Sequence, residues 1–538
     1  MKNKKRRKRS RKNVAANHVS IQKTILWLLL IIIVATLAAY WPTFNNGFTN
    51  WDDDDQVTNN NDIRVLSFDR LKKFFTSYYV GMYQPLTTVF FASAYNLNGL
   101  NPRVFHSASF IVHILNAMLV FGLIYLLTQR LAICAIVASF FALNPMNVES
   151  VAWVSASSTL IYSLFYLASL ISYIYYVKNR NNSRYFYLSL FLFSLSLLSK
   201  SAAVTLPLLL ILIDFYFTRK PDRKVFFEKV PFLILSIIFG IITVISRGPT
   251  NEFLDLGQNF SLFERVFLAS HCFMFYLIKP LVPFTLSAYY PYPEKIGNLL
   301  PFEYYIAPLL IVLVVWLIVK SRSHKKKIIL GFLLFLIPIS VVLQFVPTSS
   351  LIVADRYFYI PGIGLALLLG IVYNNLIERK HELKSMLRVV FIGYMLFLAV
   401  LTHNRVKVWK DSLTLWSDVI SKQPKVFVAW NNRGIVRGSL RDFQDAITDF
   451  NTALKLKSDY YDAYINRGIT RGALGDYEGE IADYSKAIEI NPKSGRGYFL
   501  RGLSKIAINQ KEGGCSDLYE ASSLGFKDAY NEIRKHCQ

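Results

Sequence analysis

The chain has 538 residues, of which 53% are hydrophobic and only 18% charged. A water-soluble globule of this length needs more polar surface than that, so the composition sets aside a soluble enzyme and predicts an all-α, polytopic membrane bundle. The formal net charge is +25, but its distribution argues against a nucleic-acid partner: the basic residues gather at the N-terminus and in short segments between apolar runs, as in a protein anchored on anionic lipid.

The first 24 residues, opening MKNKKRRKRSRK, read as a basic cytoplasmic segment ahead of the first span. The apolar run 25–41 is too long for the hydrophobic core of a signal peptide, and no small-residue cleavage site follows it. Eleven spans are predicted, at 25–41, 105–127, 131–145, 151–176, 185–198, 202–218, 230–246, 304–320, 328–346, 358–376 and 388–402. The apolar stretch 267–284 contains Lys279-Pro280 and Pro283 and is expected to lie at the interface or re-enter.

With the N-terminus inside, alternate loops carry Arg130, Lys178/Arg180/Arg184, Arg219/Lys220/Arg223/Lys224, Arg322 with Lys325 to Lys327, and Arg379/Lys380/Lys384. The opposite loops carry Asp52 to Asp55, Asp62, Glu149, Glu252, Asp255, Glu294 and Asp355. This alternation predicts that the C-terminal tail lies outside, provided 267–284 does not cross.

The first outer loop, 42–103, opens with Asn50-Trp51-Asp52-Asp53-Asp54-Asp55. Adjacent carboxylates repel, which raises some of their pKa values unless cations or donors compensate. The residues leave open a general base, an oxygen-ligated divalent metal, and a solvated or structural acidic loop. In the same loop, 68–75 reads as an amphipathic interfacial helix, and Tyr83-Gln84-Pro85-Leu86 follows. His106, His113 and Asn116 share one face of the next span, either as structural hydrogen-bond partners or toward a polar cavity. Asn144 to Ser150 and Ser199-Lys200-Ser201 form two further outer turns. Lys200 is a cation on an acid-dominated face, which points to an anionic partner unless the side chain merely snorkels; Ala354-Asp355-Arg356-Tyr357 adds a second cation.

From about 405 the composition turns polar and a 34-residue period appears: Arg433-Gly434, Arg467-Gly468 and Arg501-Gly502, with Asp449/Asp483/Asp517 and Ala453/Ala487/Ala521 in register. That period is the signature of a tetratricopeptide α-solenoid, with repeats at about 426–459, 460–493 and 494–527 and a C-terminal cap. Cys134 and Cys272 lie in apolar segments and read as packing residues, whereas Cys515 and Cys537 lie in the tail, where a disulfide or two free thiols are open.

Trp51-Asp52-Asp53, Tyr83-Gln84-Pro85-Leu86, His113-x-x-Asn116, the stretch Glu149 to Ser155, Thr205-Leu206-Pro207-Leu208, Ala354-Asp355-Arg356-Tyr357 and the terminal repeats together resemble the transmembrane and tetratricopeptide-repeat-containing O-mannosyltransferases and their bacterial relatives, of the GT-C glycosyltransferase class. The resemblance spans nearly the whole chain. It implies a GT-C membrane domain over 25–404 and a sugar transferase fed by a polyprenyl-phosphate donor, with an acceptor protein or glycan held by the repeats. It makes Asp52 and Asp53 the catalytic acids and Lys200 and Arg356 the phosphate contacts. Tyr83, Gln84, His113, Asn116, Glu149 and Tyr357 complete the expected substrate-binding set. No cofactor is implied with certainty, and a divalent metal stays open. The chain departs from the family pattern at Asn144-Pro145 and Asn147, at Ser157-Ser158, and at Ser201, where polar groups of the relatives are missing. The rival readings are a non-catalytic membrane scaffold that recruits envelope proteins through its repeats, and a transporter or polymerase of lipid-linked glycans with a through-going polar path.

Overall fold

A computed structural model describes residues 2–179, 181–246, 260–320, 325–345 and 350–538, with side chains from Ser20 onward except that of His381. Arg180, Glu252, Asp255 and Arg322 lie outside the described residues. The described chain is helical without strands. It divides into two units, one of 1–48 and 52–410, the other of 49–51 and 411–538.

Among the described residues, seven helices of the first unit are long and apolar enough to cross a membrane: Ser20–Asn45, Pro102–Thr128, Val154–Lys178, Arg223–Ser246, Phe302–Lys320, Pro361–Arg379 and Lys384–Val408. The chain is a multi-pass membrane protein. The other four expected spans fold as shorter pieces, and local sequence explains the breaks. Leu131–Leu143 and Pro145–Ala152 meet at a 52° bend. There Pro145 supplies no N–H and Asn144 caps the Met146 N–H. Ser183–Ser199 ends at Lys200, and the 3-10 turn Ser201–Thr205 leads into the short helix Leu206–Tyr216, whose second residue is Pro207. Lys325–Ile339 carries Pro338 in its last turn.

Small polar residues pack this unit, as expected where lipid removes the hydrophobic drive between helices. Ser169 Oγ donates to the Ser189 carbonyl at 2.7 Å and Ser189 Oγ returns a bond to the Ser169 carbonyl at 2.9 Å. A Cβ on Gly364 would lie 2.3 Å from the Phe335 nitrogen, so Lys325–Ile339 and Pro361–Arg379 approach to backbone contact. The stretch expected to re-enter forms the helix Leu262–Ile278, which stops at Lys279-Pro280. Its Tyr276 hydroxyl donates to the Ala354 carbonyl at 3.0 Å and accepts from the Ala354 N–H at 2.9 Å. It thereby holds the segment that enters Asp355.

The second unit is a helical-repeat array. Ser412–Lys422 leads into the pairs Phe427–Ser439/Phe443–Leu456, Tyr461–Ala473/Tyr477–Ile490 and Gly495–Ala507/Lys511–Ser523, closed by Asp528–His536. Packing explains the repeat columns. A Cβ at Gly434 would meet the Phe450 ring at 2.7 Å, and one at Gly468 the Tyr484 ring at 2.6 Å. Beneath them, buried Asp449, Asp483 and Asp517 each accept two bonds from Arg433, Arg467 and Arg501, between 2.5 and 2.9 Å. The fork geometry satisfies both oxygens of each carboxylate. Cys515 and Cys537 are disulfide-bonded, with Cα atoms 5.6 Å apart. The segment 49–51 belongs to this unit: Trp416 Nε1 donates to Asn50 Oδ1 at 2.7 Å, and the Trp51 and Trp416 rings lie 5.4 Å apart.

Candidate active site

The acidic run does not act as one cluster, because the backbone splits its side chains. Asp53 closes the turn before the short helical segment Asp54–Thr58 and is buried. Its Oδ1 accepts the Ser155 N–H at 2.9 Å and the Ser155 hydroxyl at 2.5 Å. Those bonds tie the outer loop to the start of the span Val154–Lys178. Val57, Ile63, Phe74, Phe91, Phe105 and Val154 form the apolar core beneath that loop.

Asp52 is half-buried, and among the described residues its carboxylate takes no hydrogen bond. Its pKa is pushed up to about 6: burial is the largest cause, Arg356 pulls it back, and the Asp53 and Asp55 charges push it further up. Asp54, also raised by burial, accepts from the Thr58 hydroxyl, and Asp62 pairs with Arg70 and Lys73.

Arg356 and Lys200 form a cation pair, of which Arg356 is the member whose charge reaches Asp52. Arg356 rides on the 3-10 turn Asp355–Phe358. Its backbone N–H donates to Glu149 Oε2 at 3.1 Å and its guanidinium to Glu149 Oε1 through Nη1. Glu149 is buried, in the first turn of Val148–Ala152. The guanidinium also lies over the rings of Trp153, at 5.2 Å, and Tyr357, at 5.0 Å. Lys200 donates to the Thr159 hydroxyl at 2.8 Å. Loss of water draws the lysine pKa down to about 7, with the Arg356 charge adding to the fall and Glu149 opposing it. Asp52, Glu149, Lys200, Arg356 and Tyr357 therefore share one neighbourhood, where acid and cations sense one another through poorly solvated space.

The remaining expected residues lie elsewhere. His113 and Asn116 are fully buried. His113 bonds the Tyr359 hydroxyl at 2.7 Å and the Ala142 carbonyl at 3.2 Å. Asn116 Nδ2 donates to the Leu160 carbonyl at 2.9 Å and to Tyr359 at 3.2 Å. They are packed into a side-chain network that ends on Tyr359, three residues after Arg356. Tyr83 donates to the Phe75 carbonyl at 3.0 Å, and Gln84 Nε2 approaches Met82 Sδ at 3.0 Å. Both belong to the outer loop, where Gln84 lines a small crevice with Gln56, Asn60 and Thr87. Among the described residues, no group of three or more His, Cys, Asp or Glu side chains converges to hold a metal.

Ser155 and Thr159 hold two of the key side chains without having been singled out from the sequence. A serine or threonine near a span end has no pattern that marks it. Asp355 was quoted only as part of a motif; its buried pairing with Tyr290 and Arg405 emerges from the fold.

A family model described as tetratricopeptide repeat matches residues 461–494. A protein O-mannosyl-transferase of Caenorhabditis elegans is 25% identical over 441 residues, covering 76% of this chain and 60% of that protein. The chain resembles the O-mannosyl-transferases. Protein O-mannosyl-transferase TMTC3 of Homo sapiens is 27% identical over 156 residues, 27% of this chain and 16% of that protein. The chain thus spans less than two thirds of the length of these relatives. Among solved structures, an archaeal oligosaccharyltransferase, AglB from Archaeoglobus fulgidus, aligns over 74% of this chain and 56% of its own at 14% identity, with a TM-score of 0.40.

Proposed function

We propose that this chain is a membrane glycosyltransferase that moves a sugar from a polyprenyl-phosphate donor to a hydroxyl of a protein or glycan at the outer face of the membrane. The observation that supports it most is the shared neighbourhood of Asp52, Glu149, Lys200 and Arg356. A scaffold has no use for two poorly solvated cations facing an acid of raised pKa.

The roles follow from charge. The Asp52 carboxylate accepts the acceptor hydroxyl proton as that oxygen bonds to the anomeric carbon. The bond from that carbon to the phosphate oxygen breaks, and its electron pair stays on the phosphate. Arg356 and Lys200 stabilise that developing charge. Glu149 takes one Nη1 donor of Arg356, so the other guanidinium N–H groups are left for phosphate oxygens. Asp53 is a positioning residue, since its two bonds from Ser155 fix the loop. Tyr357 lines the guanidinium, His113 and Asn116 support the arginine turn through Tyr359, and Tyr83 and Gln84 line the acceptor approach. No step is assigned to a metal. The repeats hold the acceptor protein in their groove.

The test is single-turnover transfer from a panel of polyprenyl-phosphate sugars by purified protein, together with donor hydrolysis when acceptor is withheld. Asp52→Asn is expected to slow transfer by about 10²–10⁴-fold in protein that still binds donor. Failure of every donor, or a rate unchanged by Asp52→Asn, overturns the reading.

A further inference from the structure

One side chain of the last membrane helix, Lys384–Val408, and the residue that caps it converge on the Arg356 turn by separate routes. Arg405 is buried, and its Nη2 lies 3.8 Å from Asp355 Oδ2. The other oxygen of Asp355 accepts the Tyr290 hydroxyl at 2.9 Å, and Tyr276 clamps both backbone groups of Ala354 just before it. The residue preceding Arg356 is therefore hydrogen-bonded on one carboxylate oxygen and faces the Arg405 charge, across a longer ion-pair distance, on the other. Trp409, fully buried, stacks on Trp153 with centroids 5.6 Å apart and planes 19° from parallel. Trp153 is the ring that the Arg356 guanidinium overlies at 5.2 Å. Trp409 follows Arg405 by four positions, so the two lie on one side of the helix end.

We propose that Arg405 and Trp409 are positioning residues that aim the Arg356 guanidinium at the donor phosphate, Arg405 through Asp355 and Trp409 through Trp153. This rests on the phosphate role given to Arg356 above. Packing alone does not account for the pair. An apolar side chain fills a buried helix face without the desolvation that an ion pair such as Arg405–Asp355 incurs. A long, many-torsion side chain such as arginine binds phosphate best when its orientation is set beforehand, and both contacts supply that orientation without touching ligand.

The experiment measures the Kd of undecaprenyl phosphate for the full chain in lipid nanodiscs. Arg405→Gln and Trp409→Leu are each expected to raise it about tenfold, while Arg405→Lys and Trp409→Phe, which keep the charge and the ring, lose about threefold or less. In an Arg356→Gln background neither brace should weaken binding further by more than about twofold, because the group they aim is gone. Full additivity in that background, or an unchanged Kd in protein lacking either brace, overturns the inference. If Arg405→Gln does not fold, the comparison of Trp409→Leu with Trp409→Phe carries the test alone. Binding weakened by Arg356→Gln but by neither brace refutes the positioning role and leaves the phosphate role standing. Binding insensitive to Arg356→Gln refutes both.

Discussion

In the proposed reaction, a carboxylate that must take a proton and a lysine that must keep one set opposite limits. Asp52, lifted to about 6, is protonated and unable to act below that pH, so the rate rises as pH increases through it. Lys200, lowered to about 7, loses its charge above that pH, so the donor is held less well as pH rises further. The kcat/KM for donor is therefore expected to be bell-shaped, with limbs near these two values, because it reports the groups of the free enzyme. Lys200→Arg keeps its charge throughout and should abolish the alkaline limb. A profile with the same alkaline limb in that variant would show that another group titrates there. Asp52 and Asp53 are also separable by experiment. Asp53→Ala, which removes the acceptor of both Ser155 bonds, is expected to lose more than Ser155→Ala, which removes only the hydroxyl bond, and both should leave the acid limb set by Asp52 in place.

At the level of elements, glycine marks where helices meet. A methyl group at Gly364 would fall 2.3 Å from the Phe335 nitrogen and 2.5 Å from the Gly331 carbonyl oxygen. Backbone cannot yield as a flexible side chain can, so Gly364→Ala should cost about 1–3 kcal/mol. Thermal unfolding in detergent should show a lower midpoint for this variant. Gly393→Ala is the control: nothing lies within 4 Å of its would-be Cβ, and its midpoint should stay the same or rise slightly. The elements also show why hydropathy read eleven spans where seven helices have full length. A window of apolar residues does not register that Asn144-Pro145, Lys200 and Pro207, or Pro338 interrupts the backbone ladder.

For the molecule as a whole, the Cys515–Cys537 bridge joins the last repeat helix to its cap across a sequence separation of 22. In the chain-entropy account a loop of that size is worth about 3 kcal/mol, so Cys515→Ser should lower the melting of the repeat region measurably. Free-thiol labelling of the native protein should find neither tail cysteine reactive. A bridge of this kind fits an oxidising compartment, which supports the proposal that the repeats lie outside the cytoplasm. Reporter fusions after Lys326 and after Gln538 are expected to show opposite sidedness. Matching sidedness would sink the proposed orientation.

Features that depend on neighbours in sequence were legible from residues alone. Long apolar runs revealed the membrane helices, because a backbone in lipid must satisfy itself within each helix. The 34-residue register exposed the repeats, because each glycine must face a large side chain of its own repeat, as Gly434 faces Phe450 and Gly502 faces Leu518. Lys200 and Arg356 stood out as cations against the charge trend. What only tertiary structure decided is how side chains far apart in sequence divide the labour. Nothing local distinguishes Asp52 from Asp53; the difference arises when Ser155, 102 residues away, takes one carboxylate and leaves the other facing Arg356. His113 and Asn116 likewise shared a helix face on paper, but whether that face meets a cavity or a neighbour depends on Tyr359, 246 residues from His113. Periodicity reports which side of a helix is polar, and long-range packing alone settles what that side touches.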